Sequence, residues 1–256
     1  MPESNKNREM SFWEHLEELR GCVLRCLAVL FVLFAALFFF KDFIFDGIVL
    51  RPARPDFWFY RAFGLNLSLD IINIDIPAQF FTHIKVTFIL AIVICFPYIC
   101  YELWSFVSPG LYSNEKPVVK KAFGLGAGLF YSGLLVGYFL VMPLLLYFFN
   151  GYQVSSSIAN TFSLHSYISI FLSMVFLMGV LFEYPSVVAV LSFFGVVDRV
   201  FLRRYRRHAI VAILLLAAVL TPTGDPFTLL VVSVPLYALY EFSILLCREK
   251  KADDLD

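Results

Sequence analysis

Long apolar runs alternate with shorter polar stretches along the whole chain. The first run, Val23 to Phe40, holds 18 residues, enough for a helix to cross a hydrocarbon core of about 30 Å. It is too long for the apolar core of a signal peptide. Further runs fall at about 85–104, 122–149, 166–194, 208–221 and 227–247. The pattern therefore predicts an all-α polytopic membrane protein, with six transmembrane helices in a single domain over 1–256. The run 208–221 has only 14 residues and would reach about 21 Å, so the fifth helix is expected to be short for its bilayer. Pro97 is expected to break the second span. Gly124, Gly126, Gly128, Gly133 and Gly137 in the third are expected to let neighbouring helices approach closely.

The polar stretches complete the outline. Ser11 and Glu14 have the spacing of a capping box, which starts a helix ahead of the first span. Helical spacing sets Phe12, Leu16, Leu19 and Val23 on one stripe and Glu14, Glu17 and Glu18 opposite; the simplest reading of that acidic face is a solvated one on the membrane surface. The loop 41–84 is the largest and carries Arg51-Pro52, Arg54-Pro55, Trp58 and five aspartates. Loops at 105–121, 150–165 and 195–207, a tight turn at 222–226 and a tail at 248–256 account for the rest.

Composition agrees, with 60% apolar and 16% charged residues where soluble domains average about 45–50% and 25%. Net charge is zero, and no basic tract is long enough to track a nucleic-acid backbone. Six spans put both termini on one side. Of the 20 Lys and Arg, only Lys41, Arg51, Arg54, Arg61 and Lys85 fall on the other, so both termini are expected to be cytoplasmic. The five cysteines lie in or beside apolar runs, without metal-ligand spacing, and read as small apolar fillers. No cofactor or metal site is expected.

Two places carry candidate chemistry. Between the second and third spans, Phe106 to Lys116 is a loop turned by Pro109-Gly110, and Glu115 stands at the opening of the next helix, where a carboxylate suits the macrodipole. With cytoplasmic termini, Glu115 and the acidic N-terminal helix share a compartment and could share a site. In the fourth span Glu183 precedes Tyr184-Pro185 as the one acid deep in an apolar run. A carboxylate at mid-membrane costs about 2.5 to 3.5 kcal/mol on insertion scales, so it should face a packed or wet interior.

Taken in order, these residues resemble the TatC family, the multispanning receptor subunit of the twin-arginine translocase. His15-Leu16-Glu17-Glu18-Leu19-Arg20 is similar to the family's H-L-x-E-L-R. Phe106, Pro109, Gly110, Leu111 and Glu115 are similar to its first cytoplasmic loop, and Phe182-Glu183-Tyr184-Pro185 to its F-E-x-P. Leu220-Thr221-Pro222 with Asp225, Pro235-Leu236-Tyr237 and Tyr240-Glu241 resemble its last hairpin. The chain departs from the pattern at Cys22, where the family carries a second basic residue, and at Thr223-Gly224 and Leu229.

The resemblance implies a cupped six-helix body in a bacterial cytoplasmic membrane. It implies a signal-peptide site of Glu18, Glu115, Arg20, Phe106, Pro109 and Leu111, with Glu183 inside the concave face. Thr221, Asp225 and Pro52 would serve partner docking or structure. The implied partners are single-span subunits of the TatA and TatB type and the twin-arginine signal peptides of folded cargo. Such a chain binds and gates, and is not an enzyme. A proton-coupled transporter using Glu183 is the alternative, but the chain has no two related halves of the kind such transporters show. An intramembrane enzyme would need G-x-S-x-G, H-E-x-x-H or a comparable cluster, whereas the four histidines are scattered.

Overall fold

The computed structural model of the chain describes residues 12–113, 115–155, 157, 160–221 and 225–247. Helix α1, Phe12–Phe38, joins the acidic segment and the first span into one unbroken helix. The expected capping box involves Ser11 and the Glu14 side chain, which lie outside the described residues. Because α1 continues as a span, its apolar side has lipid to face, and Leu16, Leu19 and Val23 are exposed. The turn bearing His15, Glu18, Cys22 and Arg25 faces α3, Ala78–Val107, instead. Of the expected acidic face, Glu17 remains exposed while Glu18 turns to the seam, and the Glu14 side chain lies outside the described residues.

The segment after α1 folds as a cap. A π-helical turn at Phe43–Val49, a 3-10 turn at Arg51–Ala53 and helix α2, Trp58–Phe63, follow one another. Gly64 closes α2 at φ 63°, a left-handed geometry that glycine adopts without penalty. Carbonyls freed in these irregular turns find hydroxyl donors. Tyr138 donates to Ile48 O at 2.8 Å, Tyr167 to Val49 O at 2.6 Å and Tyr60 to Pro52 O at 2.9 Å. Tyr60 is fully buried, which pushes its hydroxyl well above the usual tyrosine range and keeps it a donor. A two-residue parallel bridge between β1, Ile71–Ile72, and β2, Phe162–Ser163, fastens the cap to the loop at 150–165.

Helix α3 passes Pro97 without interruption, contrary to the expected break. Pro97 cannot donate to Val93 O, and the Tyr131 hydroxyl donates to that carbonyl instead at 3.0 Å. Tyr131 belongs to α4, Lys116–Val136, which continues through a π-helical turn at Gly137–Val141 into α5, Met142–Gly151. Helices α6, Leu164–Leu181, and α7, Tyr184–Phe193, form the next passage, interrupted at Phe182-Glu183 ahead of Pro185. Three glycines of the third passage meet it closely. A Cβ built on Gly126 would lie 2.6 Å from Glu183 Oε2, on Gly133 2.5 Å from Met178 O, and on Gly137 2.9 Å from Val175 Cα. Gly124 and Gly128 have nothing within 4 Å, so the expectation of close approach fails there: offset by two residues from Gly126, they point off the contact face.

The loop 195–207 contains a short helix α8, Arg199–Arg204, capped by Asp198, and helix α9 starts within it, Arg206–Leu220. Helix α10, Pro226–Leu246, completes the described chain. Among the described residues five stretches are long and apolar enough to cross a membrane: His15–Phe38, Ala78–Gly110, Lys116–Gly151, Leu164–Phe193 and Pro226–Leu246. Helix α9, with 15 residues, falls short of their length. One apolar cluster joins the cap to the outer ends of α5 and α6 through Ile44, Tyr60, Met142 and Ile168. A second joins α5 and α6 to α9 and α10 through Leu145, Met174, Ala217 and Leu236.

Candidate functional site

The first turns of α1 lie against the end of α3, where the His15 ring stacks on Phe106 at 4.3 Å between centroids. Glu18 follows one turn further along α1 on the same face. Glu18 is half-buried, and among the described residues no hydrogen-bond donor meets its buried Oε2. An acceptor shielded from water without a donor costs free energy, as at a site built to receive one.

Glu115 closes the same loop. It occupies the N-cap position of α4, but its side chain makes no capping bond to the helix. Its Oε2 accepts the backbone N–H of Tyr112 at 3.0 Å, so the carboxylate turns back over the loop and the expected helix cap is not made. Of the other expected site residues, Arg20 and Pro109 are exposed, and Phe106 and Leu111 are half-buried. Trp104 meets Phe123 edge-on across α3 and α4, and so joins the two ends of the loop.

A second carboxylate on the seam did not stand out in the hydropathy pattern. Glu102 is buried at 5% exposure and accepts Arg25 Nε at 3.0 Å, Arg25 Nη2 at 2.7 Å and the Tyr98 hydroxyl at 2.7 Å. Glu183 is therefore not the lone acid of the apolar runs. The readable signal was one charge of each sign inside the first two runs, since charges at membrane depth are held in pairs. A parallel arrangement closes the far side: Arg206 Nη2 donates to Glu241 Oε2 at 2.6 Å, and Tyr237, one turn before Glu241, donates to Oε1 at 2.9 Å.

Glu183 sits in the break between α6 and α7 against Gly126, with its Oε1 buried and without a partner among the described residues. Beside it Ser186 donates to Ala122 O at 2.8 Å. Asp225 caps α10, accepting Thr228 N–H at 2.8 Å and the Thr228 hydroxyl. Thr221 is buried, and Pro52 is buried in the cap, where its carbonyl takes the Tyr60 hydroxyl. Pro222, Thr223 and Gly224 lie outside the described residues. Among the described residues no group of His, Cys, Asp and Glu could hold a metal ion.

The fold and its carboxylate-bearing seam define a helical integral membrane protein whose polar features gather at the ends of its spans. The family model described as Sec-independent protein translocase protein (TatC) matches residues 14–235. A relative named Sec-independent protein translocase protein TatC, from Blattabacterium sp. subsp. Periplaneta americana (strain BPLAN), is 35% identical over 94% of this chain and 96% of its own length. The one from Escherichia coli (strain K12) is 31% identical over 91% and 86%. A crystal structure of a twin arginine translocase receptor, TatC in DDM, matches with TM-score 0.76 at 30% identity, covering 92% of this chain and all of that one. The chain belongs to the TatC family. These likenesses support the translocase reading and not the proton-coupled transporter.

Proposed function

We propose that this chain is the receptor subunit of a twin-arginine translocase in a bacterial cytoplasmic membrane, with six spans and both termini cytoplasmic. Its partners are TatA- and TatB-type single-span subunits, and it binds the signal peptides of folded cargo rather than catalysing a reaction. Helix α9, at about 22 Å, is the fifth of the six spans and is short for the bilayer, so partner helices or local thinning cover it.

The observation that carries the reading is Glu18, whose buried acceptor lacks a donor among the described residues, at the same end of the bundle as Glu115. Two guanidiniums on adjacent residues of an extended peptide need carboxylates approached from different directions. A helix seam and a loop end present them so, and the planar two-pronged geometry favours Arg over Lys.

The test is the affinity of purified protein for an Arg-Arg signal peptide and for its Lys-Lys form. Losing one partner of a desolvated charge pair costs about 2 to 5 kcal/mol, so Glu18→Ala and Glu115→Ala should each weaken Arg-Arg binding about 30-fold or more. Wild-type affinity and unchanged Arg preference in both variants would move the site elsewhere.

A further inference from the structure

His15, Glu18, Cys22 and Arg25 follow one another at helical spacing on the face of α1 turned to α3. A cation native to this face, Arg25, therefore stands two turns along α1 from the carboxylate that is to receive the peptide. The Arg25 side chain runs back toward the start of α1, since a Cβ built on Gly21 would lie 3.3 Å from its Nη1. Its guanidinium thus lies over the turn that follows Glu18, and the side chain is 54% exposed.

Glu102 holds that guanidinium by its Nε and Nη2, while Tyr98 occupies the other carboxylate oxygen. Both oxygens of Glu102 are engaged, and Glu18 Oε2 is left without a donor among the described residues. A shielded acceptor on the same helix face, one turn beyond the point that a half-exposed guanidinium reaches at Gly21, is a competing partner for it unless the guanidinium is fixed elsewhere.

Resting on the receptor reading above, we infer that Glu102 is a positioning residue of the signal-peptide site, which sequesters Arg25 and so keeps Glu18 open for a peptide guanidinium. Without the charge of Glu102, Arg25 turns onto Glu18 and competes with the peptide from within the molecule. Gly21 serves the same end by leaving the groove along which the guanidinium lies.

The experiment compares full-length wild type, Glu102→Gln, the double variant Arg25→Gln/Glu102→Gln and Glu18→Ala, purified in detergent, for binding of a labelled Arg-Arg signal peptide. Competition by a partly exposed ion pair should weaken Glu102→Gln about five-fold. The double variant, which has lost the competitor, should return to within about two-fold of wild type, because Glu18 is again unpaired. Both variants lack the tie between α1 and α3, so a folding defect would weaken both alike. Equal weakening of the two, or no weakening in Glu102→Gln, overturns the inference while a loss in Glu18→Ala leaves Glu18 in the receptor site. Wild-type binding by Glu18→Ala overturns the inference and leaves the receptor reading to Glu115.

Discussion

The carbonyl of Val93 offers a sharp test of how α3 tolerates a mid-span proline. In a regular helix residue 97 would donate to it, but Pro97 has no N–H, and the hydroxyl of Tyr131 on α4 approaches to 3.0 Å. Tyr131→Phe removes that donor and keeps the ring with its edge contact to Phe130. Hydrogen bonds between membrane helices average about 0.6 kcal/mol and reach about 1.7. Val93 O has lost its helical donor and no water enters hydrocarbon, so the cost here belongs near the upper end, about 1 to 1.5 kcal/mol. In a Pro97→Ala background the new backbone N–H takes Val93 O, and the same Tyr131→Phe change should cost under about 0.5 kcal/mol. The assay is a four-member cycle of unfolding free energies for protein purified in detergent, with an expected coupling of about 1 kcal/mol. Equal costs of Tyr131→Phe in both backgrounds would refute the reasoning, because the hydroxyl would then be doing nothing that the backbone could replace.

That interhelix bond also marks the limit of what was legible along the chain. Hydropathy located the runs, since each must match the bilayer, but it set the second span at 85 where α3 begins at Ala78; Thr82, His83 and the residues before them carry the helix out of the apolar zone. A local rule predicts a break at Pro97, and only tertiary placement of Tyr131 prevents it. Amphipathicity grouped Glu18 with the exposed Glu17, whereas Glu18 shares a seam with His15, Cys22 and Arg25. In water a polar stripe faces out, whereas in a span the polar residues gather on the protein side, here against α3. Charge asymmetry assigned Glu18 and Glu115 to one compartment, which is as far as spacing and charge reach for that pair. Arg25 and Glu102 were equally present in the sequence, each apparently an isolated charge near the end of a run, and their meaning depends on a helix contact that spacing does not encode. The tyrosine bonds that fasten the cap, and the bridge between Ile71–Ile72 and Phe162–Ser163, likewise join segments far apart in sequence.

Three further outcomes are expected. Gly133→Ala forces a Cβ to 2.5 Å from Met178 O and should destabilise the protein by about 1 to 3 kcal/mol, whereas Gly128→Ala, with nothing within 4 Å, should be neutral or slightly stabilising; thermal unfolding of the two variants decides. In sealed cells, single cysteines placed in 45–75 should react with an impermeant thiol reagent and those at 113 or 203 should not; the reverse pattern would overturn the proposed orientation. The last concerns Glu183, whose Oε2 lies where a side chain on Gly126 would intrude and whose Oε1 is buried without a partner among the described residues. Gln keeps the volume and the hydrogen-bonding capacity, so Glu183→Gln should retain most export of a twin-arginine cargo. Lys adds length and a positive charge in a break already closed by Gly126 on one side and by the Ser186 to Ala122 bond beside it, so Glu183→Lys should abolish export. Gly126→Ala reaches the same carboxylate from the α4 side and should impair export even with Glu183 intact. Normal export by Glu183→Lys would mean that this buried carboxylate has no part in transport, and the close approach of Gly126 would then be packing alone.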